Sequence, residues 1–321
     1  MSKLVIVGNG FDIYHGLDTR YISFARFLKE NYSTIYENLL ELYGFSDIDD
    51  SSDDELWAEF EYSLSLLDGE TVLENNSDYV ARPSSEGFRD RDWGAMAIEI
   101  EMLVEELTDN LFKAFKEFIL QVKFPSVDEL SVNKLKLSPE DLYLTFNYTN
   151  TLERYYKIPQ NKIIYIHGKA DEPKSKLLLG HGIDPENFAE KKVEPPKGLT
   201  DEEYDEWQEH MADSYDHSYE LGKSALLEYF SKSFKETSKV IDDNQHFFDD
   251  LEAIKNIIVL GHSLSDVDIP YFAKLLSSVD SEVVWYATYY GNHEKDNHRN
   301  TLKQLGIQEK SIRLIEMNDL V

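Results

Sequence analysis

The chain has 321 residues, with 62 Asp and Glu against 32 Lys and Arg, and it has no cysteine. The formal charge of -30 disfavours sequence-independent binding to nucleic-acid backbones and to anionic membranes. Without cysteine, disulfides, thiolate nucleophiles and cysteine-ligated zinc or iron–sulfur sites are excluded. Hydrophobic residues make up 41% of the chain, and the sequence shows neither a signal peptide nor a membrane-spanning apolar run. We therefore expect a soluble, cytoplasmic protein with a large packed core.

Seven short runs rich in apolar and β-branched residues predict buried strands. Each run is nearly continuous rather than alternating, which is typical of parallel strands covered on both faces. The runs are Leu4–Val7, Leu142–Phe146, Ile163–Ile166, Leu177–Leu179, Ile257–Leu260, Val283–Ala287 and Arg313–Ile315. Helical patterns follow several of them, which predicts an α/β fold with a Rossmann-like, doubly wound and mostly parallel sheet.

The long stretches between the predicted strands indicate two helical insertions in a single α/β domain that spans residues 1–321. The insertions cover approximately residues 30–138 and 185–251. In the first, apolar residues at steps of three and four predict one long amphipathic helix over Trp93–Phe124. In the second, the acidic run Asp201–Glu220 indicates a solvated helix face.

The first motif that could bind a ligand is Gly8-Asn9-Gly10-Phe11-Asp12, directly after the first predicted strand. Two glycines at a strand-to-helix turn allow the backbone to approach a phosphate, and the helix N-terminus supplies N–H donors. A tight turn without a ligand would have the same sequence, because the third glycine of a dinucleotide fingerprint is missing. Downstream, Arg20 offers a cation for a phosphate or for a neighbouring carboxylate.

Polar residues also follow three later strands. Asn147 can orient a ribose hydroxyl or a water, or it can cap the next helix. His167-Gly168 lies 20 residues further on, and its imidazole suits a general base or a turn hydrogen bond. The last motif is Gly261-His262-Ser263, with Asp266 and Asp268 as helix caps or ligand groups. Because the carboxyl ends of parallel strands share one edge of the sheet, these residues are predicted to line one crevice.

In their order along the chain, these motifs resemble the AbiH family of bacteriophage abortive-infection proteins. The resemblance rests on Gly8–Ile13 with His15-Gly16-Leu17, Phe146–Thr149, Ile166–Gly168, and Gly261–Leu264 with Asp266 and Asp268. It implies a role in defence against bacteriophage.

The same motifs are similar to the sirtuin-type NAD-binding core, in the SIR2-like branch found in anti-phage NAD hydrolases. The resemblance implies a sirtuin-like fold with NAD as substrate or ligand. It implies that Asn147 and His167 flank the nicotinamide ribose as the catalytic pair. It also implies cofactor-binding roles for Gly8 and Gly10 and for Gly261 with Ser263. We further predict cofactor-binding roles for the residues around these turns, which are Asn9, Phe11, Asp12, Arg20, Gly168, His262 and Asp266.

Two departures from the SIR2-like pattern are visible. Thr149 stands where those enzymes usually carry an aspartate two residues after the asparagine, and Asn9 and Phe11 replace small residues of the glycine turn. The missing cysteines disfavour a protein deacylase, because sirtuin deacylases fold a four-cysteine zinc ribbon beside the NAD cleft. An NAD hydrolase without the zinc module stays open.

We therefore predict an anti-phage NAD hydrolase, with a non-catalytic sensor of NAD or ADP-ribose as the leading alternative. A metal-dependent hydrolase is a weaker alternative, because its candidate ligands Asp12, His15, His167, His181 and His262 show no compact ligand spacing. We predict no metal cofactor. A purely structural protein is a further alternative, since the acidic insertions offer surfaces for self-association or for a phage trigger protein.

Overall fold

The computed structural model describes residues 3–49, 55–130, 132, 134–171, 176–189, 193–213 and 215–320. Its centre is a parallel six-stranded sheet with the order β3-β2-β1-β4-β5-β6. The strands are β1 (Leu4–Val7), β2 (Leu142–Thr145), β3 (Ile163–Tyr165), β4 (Asn256–Leu260), β5 (Val284–Tyr289) and β6 (Ile312–Glu316). This confirms the predicted α/β, Rossmann-like, doubly wound arrangement.

The helices fill the connections between successive strands. Between β1 and β2 lie α1 (Asn9–Tyr14), α2 (Tyr21–Asn31), α3 (Ser33–Tyr43), α4 (Glu55–Ala58), α5 (Phe60–Ser63), α6 (Gly69–Asn75), α7 (Ala95–Glu105) and α8 (Leu111–Gln121). The later connections hold α9 (Thr151–Tyr156), then α10 (Asp201–Asp213), α11 (His217–Lys232), α12 (Thr237–Asp243) and α13 (Gln245–Asp249), then α14 (Ile269–Ser278) and α15 (Gly291–Gln304). Across the described part of the chain, each helix is too short or too polar to cross a membrane.

One predicted strand, Leu177–Leu179, is wrong. The segment makes single contacts instead of a ladder: the Leu178 N–H donates to the His167 carbonyl at 2.9 Å, and the Leu178 carbonyl accepts from the Tyr148 hydroxyl at 2.7 Å. The chain then turns at Gly180, and His181 forms an isolated bridge with Phe234. An apolar run of three residues is consistent with a buried loop as well as with a strand.

The amphipathic stripe predicted over Trp93–Phe124 is buried, but the helix is not uniform. A π-helical turn, Glu106–Asn110, separates α7 from α8. The buried positions before it, Met96, Ile100 and Val104, follow steps of four. Four residues of an α-helix turn by about 400°, which is more than one full turn, so side chains spaced by four residues drift around the helix. The wider π-helical turn compensates for this drift and returns the apolar side chains to the core side.

The sheet is covered on both faces because side chains along each strand alternate in direction. Leu4 and Ile6 of β1 pack into a core with residues of α14 on one face. Val5 and Val7 pack with Phe11 on the other. A separate core is formed by helices from two connections. There α7, which lies between β1 and β2, packs against α11, which lies between β3 and β4. Helices that follow β1 are thus packed against helices that follow β3.

Two glycine turns contact each other where the chain leaves β1 and β4. The Gly10 N–H donates to the Gly261 carbonyl at 2.7 Å, and the Gly8 N–H donates to the Leu260 carbonyl at 2.9 Å. Gly261 has φ +58, and a Cβ there would lie 2.3 Å from the Phe11 nitrogen. Only glycine allows the two backbones to approach this closely.

We predict that Gly261→Ala lowers the free energy of unfolding by about 3 kcal/mol or more, because left-handed strain adds to backbone overlap. Gly44 is the matched control, since it has φ +74 but a Cβ added there would meet no atom of the described residues within 4 Å, apart from its chain neighbours. Gly44→Ala should cost only the strain, about 1–2 kcal/mol. Urea unfolding of both variants measures the difference, and equal losses would contradict the packing role of Gly261.

Candidate functional site

A cavity of about 1280 Å³ opens along the carboxyl ends of the strands. Its floor is formed by the turns after β1 and β4, the neighbouring strands at which the order of the sheet reverses. Its roof comes from the connection between β1 and β2, through Trp57 and Phe60. Ligands of open α/β sheets bind at such a reversal point, so this cavity is the candidate site.

Most of the predicted site residues line this cavity: Gly8, Asn9, Gly10, Asp12, Arg20, Asn147, His167, Gly261, His262 and Ser263. Phe11, Gly168 and Asp266 lie elsewhere. Phe11 is fully buried against the rings of His15 and Tyr156. Gly168 forms a turn at φ +83, and Asp266 is exposed at the start of a short 3₁₀ turn.

The side chain of Asn9 is used within the protein. Its amide nitrogen donates to the Thr19 carbonyl at 3.1 Å, and its amide oxygen accepts from the Thr19 hydroxyl. These bonds fix the glycine turn against the loop that leads to α2. Arg20, in the same loop, lies 3.7 Å from Asp18, and both side chains are more than half exposed. Such a pair contributes little, so the guanidinium is available to a ligand.

Asp12 is buried in the first turn of α1, where it is 1% exposed. One carboxylate oxygen accepts from the Thr149 hydroxyl and the other from the Thr151 hydroxyl, each at 2.6 Å. Burial raises the pKa of Asp12 to about 6, although the two threonine hydroxyls act in the opposite direction. Thr149, the departure from the SIR2-like pattern, is thus a partner of a carboxylate.

Asn147 is 6% exposed, and among the described residues neither its amide nitrogen nor its amide oxygen has a partner within hydrogen-bond distance. The side chain lies near Asp12 and helps to lower the pKa of that carboxyl. A buried amide without partners costs about 1–3 kcal/mol for each unsatisfied group. Unpaired buried polar groups are rare in native proteins, so Asn147 is a strong candidate for a ligand contact.

His167 and His262 face opposite oxygens of one carboxylate. The Nε2 atom of His167 lies 3.6 Å from Oδ1 of Asp268, and that of His262 lies 3.4 Å from Oδ2. Both rings pack edge-on against Phe146. Burial, and then the charge of Lys235, hold the pKa of His167 well below its usual value, so this imidazole is neutral at physiological pH.

The carboxylate of Asp268 is also paired with a fully buried lysine. Nζ of Lys235 lies 3.1 Å from Asp268 and 2.6 Å from Glu61. Burial lowers the pKa of Lys235, but the two carboxylates outweigh it and the net shift is upward. Glu61 also accepts from the hydroxyl of Tyr21 at 2.9 Å, and the hydroxyl of Tyr148, which donates to Leu178, lies 3.3 Å from the same carboxylate.

Lys235 and Glu61 are the residues that the sequence analysis missed. Both lie in the helical connections and resemble the surface charges around them. Asp268 was noted in the fourth motif, and it lies within the cluster while Asp266 is exposed. The sequence signal for this buried cluster is Asp268, the second aspartate of the motif after β4.

The candidate metal ligands of the sequence analysis lie in different environments. His15 is buried and bonded to the Phe11 carbonyl and the Tyr156 hydroxyl, each at 2.7 Å. His181 is fully buried, and burial lowers its pKa to about 4. Within the described residues, no three His, Asp or Glu side chains are placed to hold a metal ion.

A family model described as bacteriophage abortive infection AbiH matches residues 4–289. The chain belongs to the AbiH family. This confirms the family resemblance, and the match spans β1 to β5 with the turns that form the cavity floor. The comparisons with curated proteins and with solved structures found no match.

We predict that the stability of this AbiH protein depends on pH through Asp12. Its pKa is raised from 3.8 to about 6 on folding, so the folded state binds this proton more tightly. The resulting stabilisation is complete below the unfolded value and is lost as the pH rises through about 6, a loss of about 3 kcal/mol. Asp12→Asn should therefore gain stability relative to the wild type as the pH rises.

Urea unfolding across this range measures the difference between Asp12→Asn and the wild type. Thr149→Val removes a hydrogen bond that lowers the pKa, so it should shift the wild-type transition to higher pH. A difference between Asp12→Asn and the wild type that stays constant with pH would contradict the ionisation of Asp12.

We predict that Lys235→Met lowers the free energy of unfolding by about 3–5 kcal/mol, because it leaves two buried carboxylates without a counterion. Lys255 is the matched control, since it pairs with Asp280 at 3.1 Å with both side chains nearly half exposed. Lys255→Met should cost at most about 1 kcal/mol. Thermal and urea unfolding distinguish the two, and similar losses would show that Lys235 is not an essential counterion.

Proposed function

We propose that this protein acts in bacteriophage abortive infection as a hydrolase that cleaves the nicotinamide–ribose bond of NAD. The family description supports the first part. The observation that carries the second is the amide of Asn147, which is buried without partners at the wall of a cavity at the reversal point of the sheet. Ligand pockets are usually about 300–1,000 Å³, so this cavity has room for a dinucleotide.

The proposed reaction adds water to C1′ of the nicotinamide ribose as the C–N bond breaks. Nicotinamide leaves with the bonding electrons and becomes neutral, the hydroxyl stays on the ribose, and one proton is released. The transition state resembles an oxocarbenium ion. Asn147 would position the ribose or the water, and a neutral His167 would accept the proton.

The charges of the cavity support a ligand with a cationic ring. Its described wall carries one arginine, Arg20, and seven carboxylic acids: Asp12, Glu55, Glu59, Glu61, Asp268, Glu294 and Glu316. Glu61 and Asp268 are paired with the buried Lys235, which leaves five acids against the arginine. Such a surface favours the positively charged nicotinamide of NAD. The Gly10 N–H donates to the Gly261 carbonyl, so it is not available to a phosphate. We therefore assign the pyrophosphate to Arg20 and to the exposed Ser263.

One observation favours the non-catalytic alternative, a sensor of NAD or ADP-ribose. The Nε2 atom of His167 is enclosed and faces Asp268 at 3.6 Å. A histidine that only shapes the pocket would have the same surroundings. The two functions differ in whether NAD is consumed and in whether binding needs the imidazole.

We predict that the protein converts NAD to nicotinamide and ADP-ribose, and that Asn147→Ala and His167→Ala each lower the rate by about 10²-fold or more. The Asn147→Ala variant should stay folded, because the amide has no partner within hydrogen-bond distance among the described residues and loses only its weak effect on Asp12. Chromatography of NAD and its products measures the rate, with purified protein and with cells before and during infection.

Asn150→Ala is the control, since Asn150 lies three residues away and bonds to Asp171 on the surface. It should keep the wild-type rate. NAD binding by calorimetry without product under either condition would exclude hydrolysis, and binding that survives His167→Ala would favour the sensor.

A further inference from the structure

We propose that Asp12, held by Thr149 and Thr151, is the carboxylate that binds the ribose hydroxyls of the substrate beside Asn147. This inference rests on the proposed function and adds a catalytic residue to it. In this role Asp12 accepts hydrogen bonds from the ribose and stabilises positive charge on the sugar as the glycosidic bond breaks. It forms no covalent bond and exchanges no proton.

The geometry around Asp12 is that of a carboxylate held in a fixed orientation. Its two oxygens each accept one threonine hydroxyl at 2.6 Å, and the hydroxyls of Thr149 and Thr151 lie 3.0 Å apart. An ionised carboxylate offers about four acceptor positions, so two are left for a ligand. Asp12 belongs to the cavity wall, and a diol matches the remaining acceptors.

The contact with Thr149 explains a departure in the sequence. Position 149 follows Asn147 by two residues, and the chain has a threonine there instead of an aspartate. The carboxylate of Asp12 lies one hydrogen bond from that threonine, although it comes from α1 instead of the turn after β2. The site therefore holds a carboxylate and a hydroxyl in contact, with the carboxylate supplied by α1 and the hydroxyl by the turn after β2.

The location of Asp12 also meets the needs of the chemistry. An oxocarbenium-like ribose is stabilised by a nearby negative charge, most strongly where water is excluded. Asp12 is 1% exposed, and Asn147 lies near it at the same end of the cavity. A neutral amide and a carboxylate at one wall can hold both hydroxyls of a ribose while leaving C1′ open to water.

The test is an exchange of the two residues, assayed with NAD as substrate. Asp12→Asn should lower kcat/KM by about 10²-fold while the protein stays folded. Thr149→Asp should also lower it, because two carboxylates would then be in contact. The double variant, Asp12→Thr with Thr149→Asp, restores one carboxylate and one hydroxyl. Its kcat/KM should exceed that of Asp12→Asn by about 10-fold or more.

Folding is checked for each variant by circular dichroism, and the comparison of the double variant with Asp12→Asn stands even if Thr149→Asp alone fails to fold. Asp78→Asn, a change at an exposed carboxylate outside the cavity wall, is the control for activity. A rate for Asp12→Asn within about threefold of the wild type would overturn the assignment. So would a folded double variant no faster than Asp12→Asn.

Calorimetry with NAD separates this inference from the proposed function. If the wild type binds NAD without hydrolysing it, the proposed hydrolysis fails, but Asp12→Asn should still weaken binding by about 10-fold. Unchanged binding in that variant would overturn the ribose contact. If the wild type neither binds nor hydrolyses NAD, both the proposed function and the role of Asp12 fail.

Discussion

The ammonium group of Lys235 is fully buried, and it must therefore be paired with carboxylates in the folded protein. Its partners are Glu61 in α5 and Asp268 before α14. These three residues come from the two long helical connections and from the turn after β4. The pairing fixes how the helices that roof the cavity meet the sheet. Because Asp268 also faces two histidines, the same requirement sets the positions of the imidazoles at the site.

The acidity of the chain has a local meaning as well as a global one. The formal charge of -30 disfavours polyanionic partners, and the cavity repeats this bias with seven carboxylic acids against one arginine. Free phosphate-rich ligands would be repelled there, whereas a ligand with a cationic ring gains from the same field. NAD, the proposed ligand, combines a cationic ring with a pyrophosphate, so only its phosphates would need compensation, for which the cavity wall offers Arg20 and Ser263.

The sequence could predict the features of the fold that are encoded by residues close together along the chain. Buried strands show as apolar runs, and parallel order brings their polar ends together, which is why Asn147, His167 and Gly261 line one cavity. The cluster of Lys235 could not be found in this way, because Glu61 is 174 residues distant and nothing near either residue marks it as buried. Likewise, Thr149 is a departure from the SIR2-like pattern in the sequence, and only folding shows that it contacts Asp12.

The glycines and the polar residues at the cavity are present for different physical reasons. Gly10 and Gly261 are required for the backbone contact between two turns, a reason that applies with or without a ligand. Glycines at strand ends are therefore weak indicators of nucleotide binding in this fold. Asn147 and Asp12 stand in contrast, since an amide buried without partners among the described residues and a carboxyl with a raised pKa both lower the stability of the folded protein. A bound ribose would give hydrogen bonds to the amide of Asn147 and the carboxylate of Asp12, and both groups belong to the wall of the cavity.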